Sequence, residues 1–365
     1  MTTLITGGTG FLGRHLIDLL IANGESDLRV LGRTPDAELI ELGVDFIEGS
    51  LLSADDLKQA VNGVSRVYHL AGRVERDRSK AHLMYSLHVD GTRLLLDALR
   101  ESDTDIEKIV VASTSGTVGV EKSSDFIATD ESPHAESIVH NWPYYLSKIY
   151  AERLCAEYVD RYELPIVLMR PTLLLGPGDR RESSTGDVIL FLNKKVPGVI
   201  EGGMSFVDVR DTAEAFLAAM EKGEPGESFL LGALNLSIRD FFERLAAITG
   251  LPAPRIPIPD SFVRLGSKLL GALTQVKKDV GDLDPVSLEM ARHYWYIDSS
   301  RAIERLGWSP RDPDRTLRDT VNWIRENHPE FQDARGERPD PPPELVPLAT
   351  VEYARKLRQE ALDQR

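Results

Sequence analysis

Cysteine is almost absent from this chain: one residue, Cys155, among 365. A lone thiol excludes an intramolecular disulfide framework and suits a reducing compartment, and its place within a helical pattern marks it as a packed side chain. Long apolar runs are also missing. Nothing approaches the ~18 uninterrupted apolar residues a membrane span requires. The N-terminus opens at once on a strand-like run, without the basic region and apolar stretch of a targeting signal. Positive charge is scarce, with 43 Lys and Arg against 58 Asp and Glu and a net charge of −15. Nucleic acid and anionic membrane surfaces would be repelled, so the expected partner is a small molecule and the expected location the cytoplasm. The length suits one large domain or two modest ones with ample core.

What the chain has is a glycine turn. Thr2, Thr3, Leu4 and Ile5 lead into Gly7, Gly8, Gly10 and Gly13, and Phe11, Leu12, His15, Leu16, Leu19 and Leu20 follow at helical spacing. A strand that breaks into glycines and restarts as a helix cradles a diphosphate. Gly7 makes the turn, Gly10 lets the backbone approach the phosphates, and Gly13 lets helix and strand pack closely. The strand before and the amphipathic helix after are the context such a motif requires.

Strands and helices then alternate. Strands are predicted at Leu28–Leu31, Val44–Ile47, Val67–Ala71, Ile109–Ala112 and Pro165–Met169. Helices are predicted from Ser53 to Val61, from His88 to Arg100 (Leu94, Leu95 and Leu99 inward) and from Tyr144 to Tyr162. The pattern predicts an α/β fold, a Rossmann-type doubly wound parallel sheet over residues 1–171. After Pro171 the regularity breaks. Gly176, Pro177 and Gly178 open a loop, and short elements follow at Ser205–Val209, Phe229–Leu231 and Ile238–Thr249. Residues 172–328 read as a smaller C-terminal substrate-binding cap with return segments to the core. Residues 329–365 read as a Pro- and charge-rich tail (Arg338–Glu344) ending in a helix from Thr350 to Leu362.

The end of the second strand decides between NAD and NADP. An acid there accepts hydrogen bonds from the ribose, whereas an arginine accommodates a 2′-phosphate. Here the residues are Gly32 and Arg33, one leaving room and the other offering a fork of donors, so NADP is expected, with NAD as the alternative.

Tyr144 and Lys148 lie four apart at the start of a helix and so share a face. A phenol is a poor acid–base group at neutral pH, and an adjacent ammonium favours its ionised form. The hydroxyl of Ser115, at the end of the fifth strand, would orient a substrate oxygen, with Thr114 in its place if the register shifts by one. The combination suits carbonyl reduction. No metal is expected.

With these pieces the chain resembles the extended short-chain dehydrogenase/reductase superfamily, from Met1 to about Pro329. The matching segments are Thr6–Gly13, His69-Leu70-Ala71-Gly72, Val89-Asp90-Gly91-Thr92, Ser113-Thr114-Ser115, Tyr144 with Ser147-Lys148, Arg170-Pro171 with Gly176-Pro177, and Phe206–Asp211. The resemblance implies a catalytic triad of Ser115, Tyr144 and Lys148. It also implies cofactor contacts from Gly7, Gly10, Phe11, Leu12, Gly13, Arg33, Ser50, Leu51, Ala71, Gly72, Tyr144 and Lys148, with Pro171 and Thr172 beside the nicotinamide. Tyr145, three residues from Lys148, does not fit the motif. Two positions depart from the pattern: Ser50 stands where an acid often binds adenine, and His88 where asparagine is usual. The subgroup it looks most like is dihydroflavonol-reductase-like or hydroxysteroid-dehydrogenase-like. The implied activity is NADP(H)-dependent interconversion of a ketone or aldehyde with an alcohol, with a homodimer among the expected assemblies. The apolar cap segment Phe262, Val263, Leu265, Leu269, Leu270 and Leu273 hints at a hydrophobic substrate. One alternative is a nucleotide-sugar epimerase or dehydratase with bound NAD, its pyrophosphate held by Arg180, Arg181, Lys194, Lys195 or Arg210. A non-catalytic NADP sensor is the other.

Overall fold

Alternate residues along each strand face opposite ways, and here both faces are apolar. In β1 (Thr2–Thr6), Leu4 enters one core and Ile5 the other; β2 (Leu28–Gly32), β3 (Asp45–Glu48), β4 (Val64–His69), β5 (Lys108–Ala112) and β6 (Ile166–Pro171) follow. Val67 and Tyr68 of β4, and Ile109 and Val110 of β5, divide in the same way. Such two-sided burial requires helices on both faces. The helices Phe11–Ala22 and Val209–Lys222 cover one face, and Ala54–Ala60, Gly91–Arg100 and Pro143–Tyr162 the other. The structure is a computed structural model, and it describes residues 2–75, 78–259, 285–328 and 331.

Three further strands, β7 (Leu173–Leu175), β8 (Val199–Ile200) and β9 (Gly203–Asp208), precede β10 (Ser228–Leu231), and β11 (Leu234–Ser237) follows it. The main sheet has seven strands in the order β10-β6-β5-β4-β1-β2-β3, every pair parallel. The order reverses between β1 and β4, which opens a crevice beyond their C-terminal ends. A second sheet, β11-β9-β7, carries the cap core of Phe206, Leu234, Leu236, Phe241 and Leu245, closed by Leu317, Val321 and Ile324. This is the doubly wound α/β architecture expected.

Local corrections have physical causes. The strand expected at Val67–Ala71 is Val64–His69, because at the switch point the Leu70 amide makes its last bond to the Thr6 carbonyl and the chain leaves the sheet. Phe229–Leu231, read with the cap elements, lies in the seventh strand of the main sheet, paired with β6. The helix expected from His88 becomes regular only at Gly91, because Ser86–Asp90 forms a π turn after the short helix Ala81–Tyr85. In the regular helix Leu96 is buried with Leu95 and Leu99, while Leu94 is half-buried. The cap segment Phe262–Leu273 and the tail from 332 lie outside the described residues.

Candidate active site

The strand–glycine–helix turn is built as its spacing requires. Gly7 has φ +76°, which glycine adopts without strain, and a Cβ on Gly13 would stand 2.3 Å from the Gly7 carbonyl oxygen. The first helix therefore packs directly on the turn, its N-terminus facing the crevice. A cleft of about 860 Å³ opens there. Gly7, Gly10, Phe11, Leu12, Gly13, Gly72, Ser115, Tyr144, Lys148, Pro171 and Thr172 all line it. Arg33, Ser50, Leu51 and Ala71 are not among its lining residues. Arg33 is exposed beyond β2, and Leu51 is buried over Gly91. The Ser50 hydroxyl accepts from the Leu52 amide at 3.1 Å.

Tyr144 enters the cleft from the first turn of the helix Pro143–Tyr162, whose N1 proline ends the preceding loop. Burial pushes its phenol up to about 12, and a hydrogen bond with the Thr114 side chain opposes that rise. Sequence spacing favoured Ser115 for this hydroxyl; the geometry brings Thr114 to the phenol, while Ser115 is buried at the cleft wall. Lys148, one turn on, donates its Nζ to the Ala112 carbonyl at 2.7 Å. Burial lowers its ammonium to about 8, against the pull of the Glu152 carboxylate. The expected lowering of the phenol by Lys148 is thus replaced by a net rise, because desolvation dominates. A Cβ on Gly72 would stand 3.7 Å from Lys148 Nζ, so the end of β4 and the lysine meet.

His88 is the residue sequence reasoning left undecided, and it is bonded at both nitrogens. Its Nε2 accepts from the Arg73 amide at 3.0 Å, so Nδ1 carries the proton and donates to the Ser147 hydroxyl at 2.8 Å. Ser147 in turn donates to the Tyr144 carbonyl at 2.7 Å, and the His88 ring stands edge-on to that of Tyr144, centroids 5.7 Å apart. A second buried chain lies behind it. The Ala71 amide donates to Thr6 Oγ1, Thr6 to His69 Nδ1, His69 Nε2 to Thr92 Oγ1, and Thr92 to the His88 carbonyl. Burial, with the nearby Lys148 charge, depresses His69 to about 3 and His88 to about 2, so both rings are neutral. The signal in sequence was the pair of histidines at the strand end and the helix start; their connection through Thr6, Thr92 and Ser147 was not visible there.

Below Lys148 lies a buried ion pair. Glu152 accepts from Arg170 at 2.7 Å, His134 at 2.9 Å and Thr117 at 2.9 Å, and also from Ser113. Burial opposes its charge, but the Arg170 guanidinium and these hydrogen bonds outweigh it and hold the carboxyl at about 2. Cys155, farther along the same face, is buried with its thiol pushed up to about 12 and is inert.

At the other end of the cleft, beside β2, Arg14 follows Gly13 in the first helix and pairs with Asp36 at 3.1 Å and with Glu38. Arg180 of the loop after Gly178 reaches the same Glu38 at 3.3 Å. Arg14, Asp36 and Arg180 line the cleft. Around Tyr144 the lining is largely apolar and aromatic, from Trp142 and Tyr145 and from Met204, Phe241, Met290 and Trp295 of the cap, while the segment after Gly178 adds Arg181 and Asp187. Trp295 stacks on Trp142 at 5.6 Å and meets Tyr145 at 4.9 Å between ring centroids.

Residues 3–232 match the NAD dependent epimerase/dehydratase family. The chain belongs to that family. It is 30% identical over 336 residues to a putative dihydroflavonol 4-reductase of Synechocystis sp., covering 89% of this chain and 94% of the relative. It is also 30% identical over 332 residues to sterol demethylase protein B of Methylococcus capsulatus, covering 89% of this chain and 99% of that one. Among solved structures, gox2253 superposes with a TM-score of 0.77 at 29% identity, over 90% of this chain and 98% of that one. The expected membership of the extended short-chain dehydrogenase/reductase superfamily agrees with these likenesses. As a member of the epimerase/dehydratase family, the protein is an enzyme that uses a nicotinamide dinucleotide. The residues present fit that group: a glycine turn without room for side chains beneath the helix N-terminus, and a half-buried phenol with a buried ammonium lining the same cleft. No described helix is long and apolar enough to cross a membrane.

Proposed function

We propose that the protein is an NADP(H)-dependent carbonyl reductase and alcohol dehydrogenase acting on a hydrophobic small molecule. The observation that carries this reading is the wall of the cleft facing Tyr144. It is largely aromatic and apolar, and of the five cations proposed for a sugar-nucleotide pyrophosphate only Arg180, already paired with Glu38, and Arg181 line the cleft. Arg210 is held at 2.7 Å by both Asp208 and Asp319, and neither it nor Lys194 or Lys195 lines the cleft. The reductase and sterol-demethylase names of the two relatives agree with a hydrophobic substrate.

A bound nicotinamide dinucleotide supplies or takes the hydride. Gly7, Gly10, Phe11, Leu12 and Gly13 would hold its diphosphate at the helix N-terminus, with Gly72, Pro171 and Thr172 also on the cleft wall to receive it. Tyr144, protonated at neutral pH, gives its proton to the substrate oxygen as that oxygen gains charge. Thr114 and Ser115 orient the oxygen and the phenol, and Lys148 places a positive charge one turn away. The aromatic wall excludes water from the reacting atoms.

The test is a panel of ketones, aldehydes and alcohols, aromatic and aliphatic, followed by absorbance with NADPH and with NADH. Turnover of apolar ketones with a preference for NADPH is expected. A purified protein that retained NAD and converted a nucleotide sugar without added cofactor would overturn the reading in favour of an epimerase or dehydratase. Unchanged activity in Tyr144→Phe would favour a non-catalytic sensor.

A further inference from the structure

We propose that Arg14 is the guanidinium that binds the 2′-phosphate of NADP(H), with Glu38 as the counter-ion it exchanges for that phosphate. The inference rests on the NADP(H) reading above and names the residue that would enforce it. Arg33, the strand-end arginine, is exposed and does not line the cleft, whereas Arg14 does. Arg14 follows the last glycine of the dinucleotide turn, and its partner Asp36 lies in the loop leaving β2, where a doubly wound fold reads the adenosine ribose.

The two carboxylates on Arg14 are not equivalent. Asp36 is fixed, because it is the N-cap of the helix Ala37–Glu41 and its Oδ1 also accepts from the Leu39 amide at 3.2 Å. Glu38 is a longer side chain, 56% exposed, and holds Arg14 with no such second anchor on its own helix. A phosphate dianion arriving at the guanidinium competes with Glu38 for the same fork of donors and offers bidentate geometry and more charge. Glu38 does not become an isolated charge when displaced, since Arg180 already stands 3.3 Å from it. The four groups Arg14, Arg180, Asp36 and Glu38 sum to zero, so unphosphorylated NAD(H) meets a cluster whose charges are balanced. Phosphate binding is then an exchange of ion pairs, from Arg14–Glu38 to Arg14–phosphate with Glu38 on Arg180.

The experiment is calorimetric titration of the full-length protein with 2′,5′-ADP and with 5′-AMP, fragments that differ only in the 2′-phosphate, alongside NADPH and NADH kinetics. Arg14→Ala is expected to weaken 2′,5′-ADP about ten- to hundredfold, as for a lost charge-assisted pair, and to change 5′-AMP by less than about twofold. Glu38→Gln is expected to strengthen 2′,5′-ADP about three- to tenfold by removing the competitor, an opposite sign that misfolding cannot produce. An Arg14→Ala variant that still prefers 2′,5′-ADP, or that loses both fragments equally, overturns the proposal, as does a preference abolished by Arg33→Ala alone. In those cases a wild-type preference for 2′,5′-ADP leaves the NADP(H) reading standing. A wild-type protein that binds both fragments equally overturns that reading and the role of Arg14 together.

Discussion

His88 Nδ1 and the Ser147 hydroxyl lie 2.8 Å apart. While Nε2 holds the Arg73 amide of the loop leaving β4, that bond ties the π turn Ser86–Asp90 to the helix bearing Tyr144 and Lys148. Through Ser147 it ends on the Tyr144 carbonyl, so His88 sets where the first turn of that helix sits. His88→Ala strips the partner from a buried hydroxyl, at a cost of about 1–3 kcal/mol. We expect a lower Tm and a kcat reduced about tenfold, with KM for the cofactor changed little. His88→Asn, which can still donate and accept, should recover part of kcat. Steady-state kinetics beside thermal melts of both variants check this.

Tyr144→Phe keeps the ring packing against His88 but removes the only ionisable proton on the side chain. Turnover should fall about 10²- to 10⁴-fold with the far-ultraviolet circular dichroism unchanged. Thr114→Val should lower kcat more than Ser115→Ala does, because Thr114 is the hydroxyl bonded to the phenol. The reverse order would return the role to Ser115.

The phenol at about 12 and the ammonium at about 8 fix the direction of the pH dependence. At neutral pH Tyr144 is an acid, so ketone reduction should outrun alcohol oxidation, and oxidation should gain as pH rises. If the Lys148 charge supports reduction, the rate falls above about pH 8, and Lys148→Arg carries that limb out of range. Stability moves the other way. Above about 8 the folded lysine sheds a proton that the unfolded chain holds up to about 10.5, so the cost of burying its charge is full below 8 and relieved above it. Rate profiles and denaturant midpoints across pH 6–10 read both effects.

The Glu152–Arg170 pair supports the floor of the site. Glu152→Gln leaves a buried guanidinium without its charge partner and should cost about 3–5 kcal/mol in urea unfolding, with the double variant Glu152→Gln/Arg170→Gln losing less than the sum. Because the folded carboxyl sits at about 2 against an ordinary 4.5, its stabilisation is present above 4.5 and is lost as pH falls towards 2. Melting temperatures of the wild type and Glu152→Gln should therefore converge in acid.

Much of the fold was legible because it rests on short-range patterns. Gly7 to Gly13, with Phe11, Leu12, Leu16 and Leu20 at helical spacing, reads as a turn entering an amphipathic helix, and the helix Ile238–Thr249 falls where its Ser237 cap and Gly250 stop place it. The errors arose where tertiary context overrides local pattern. Phe229–Leu231 is an apolar run like any other until it pairs with β6, and Ser86–Asp90 forms a π turn where a regular helix was expected from His88. At the site, Tyr144 and Lys148 stood out because four residues bring two side chains onto one face and because a glycine turn and a hydroxyl-rich strand end accompany them.

By itself the sequence determined the alternation of strands and helices, the glycine turn and the phenol–ammonium pair, all set by contacts within a few residues. Only the tertiary structure decided that Thr114 meets Tyr144, that His88 bridges Arg73 to Ser147, and that Arg14 faces the cleft between Asp36 and Glu38. Those pairings join segments far apart in the chain. Their partners are set by how the sheet and its helices pack, and by the need of buried polar groups for one another once water is excluded.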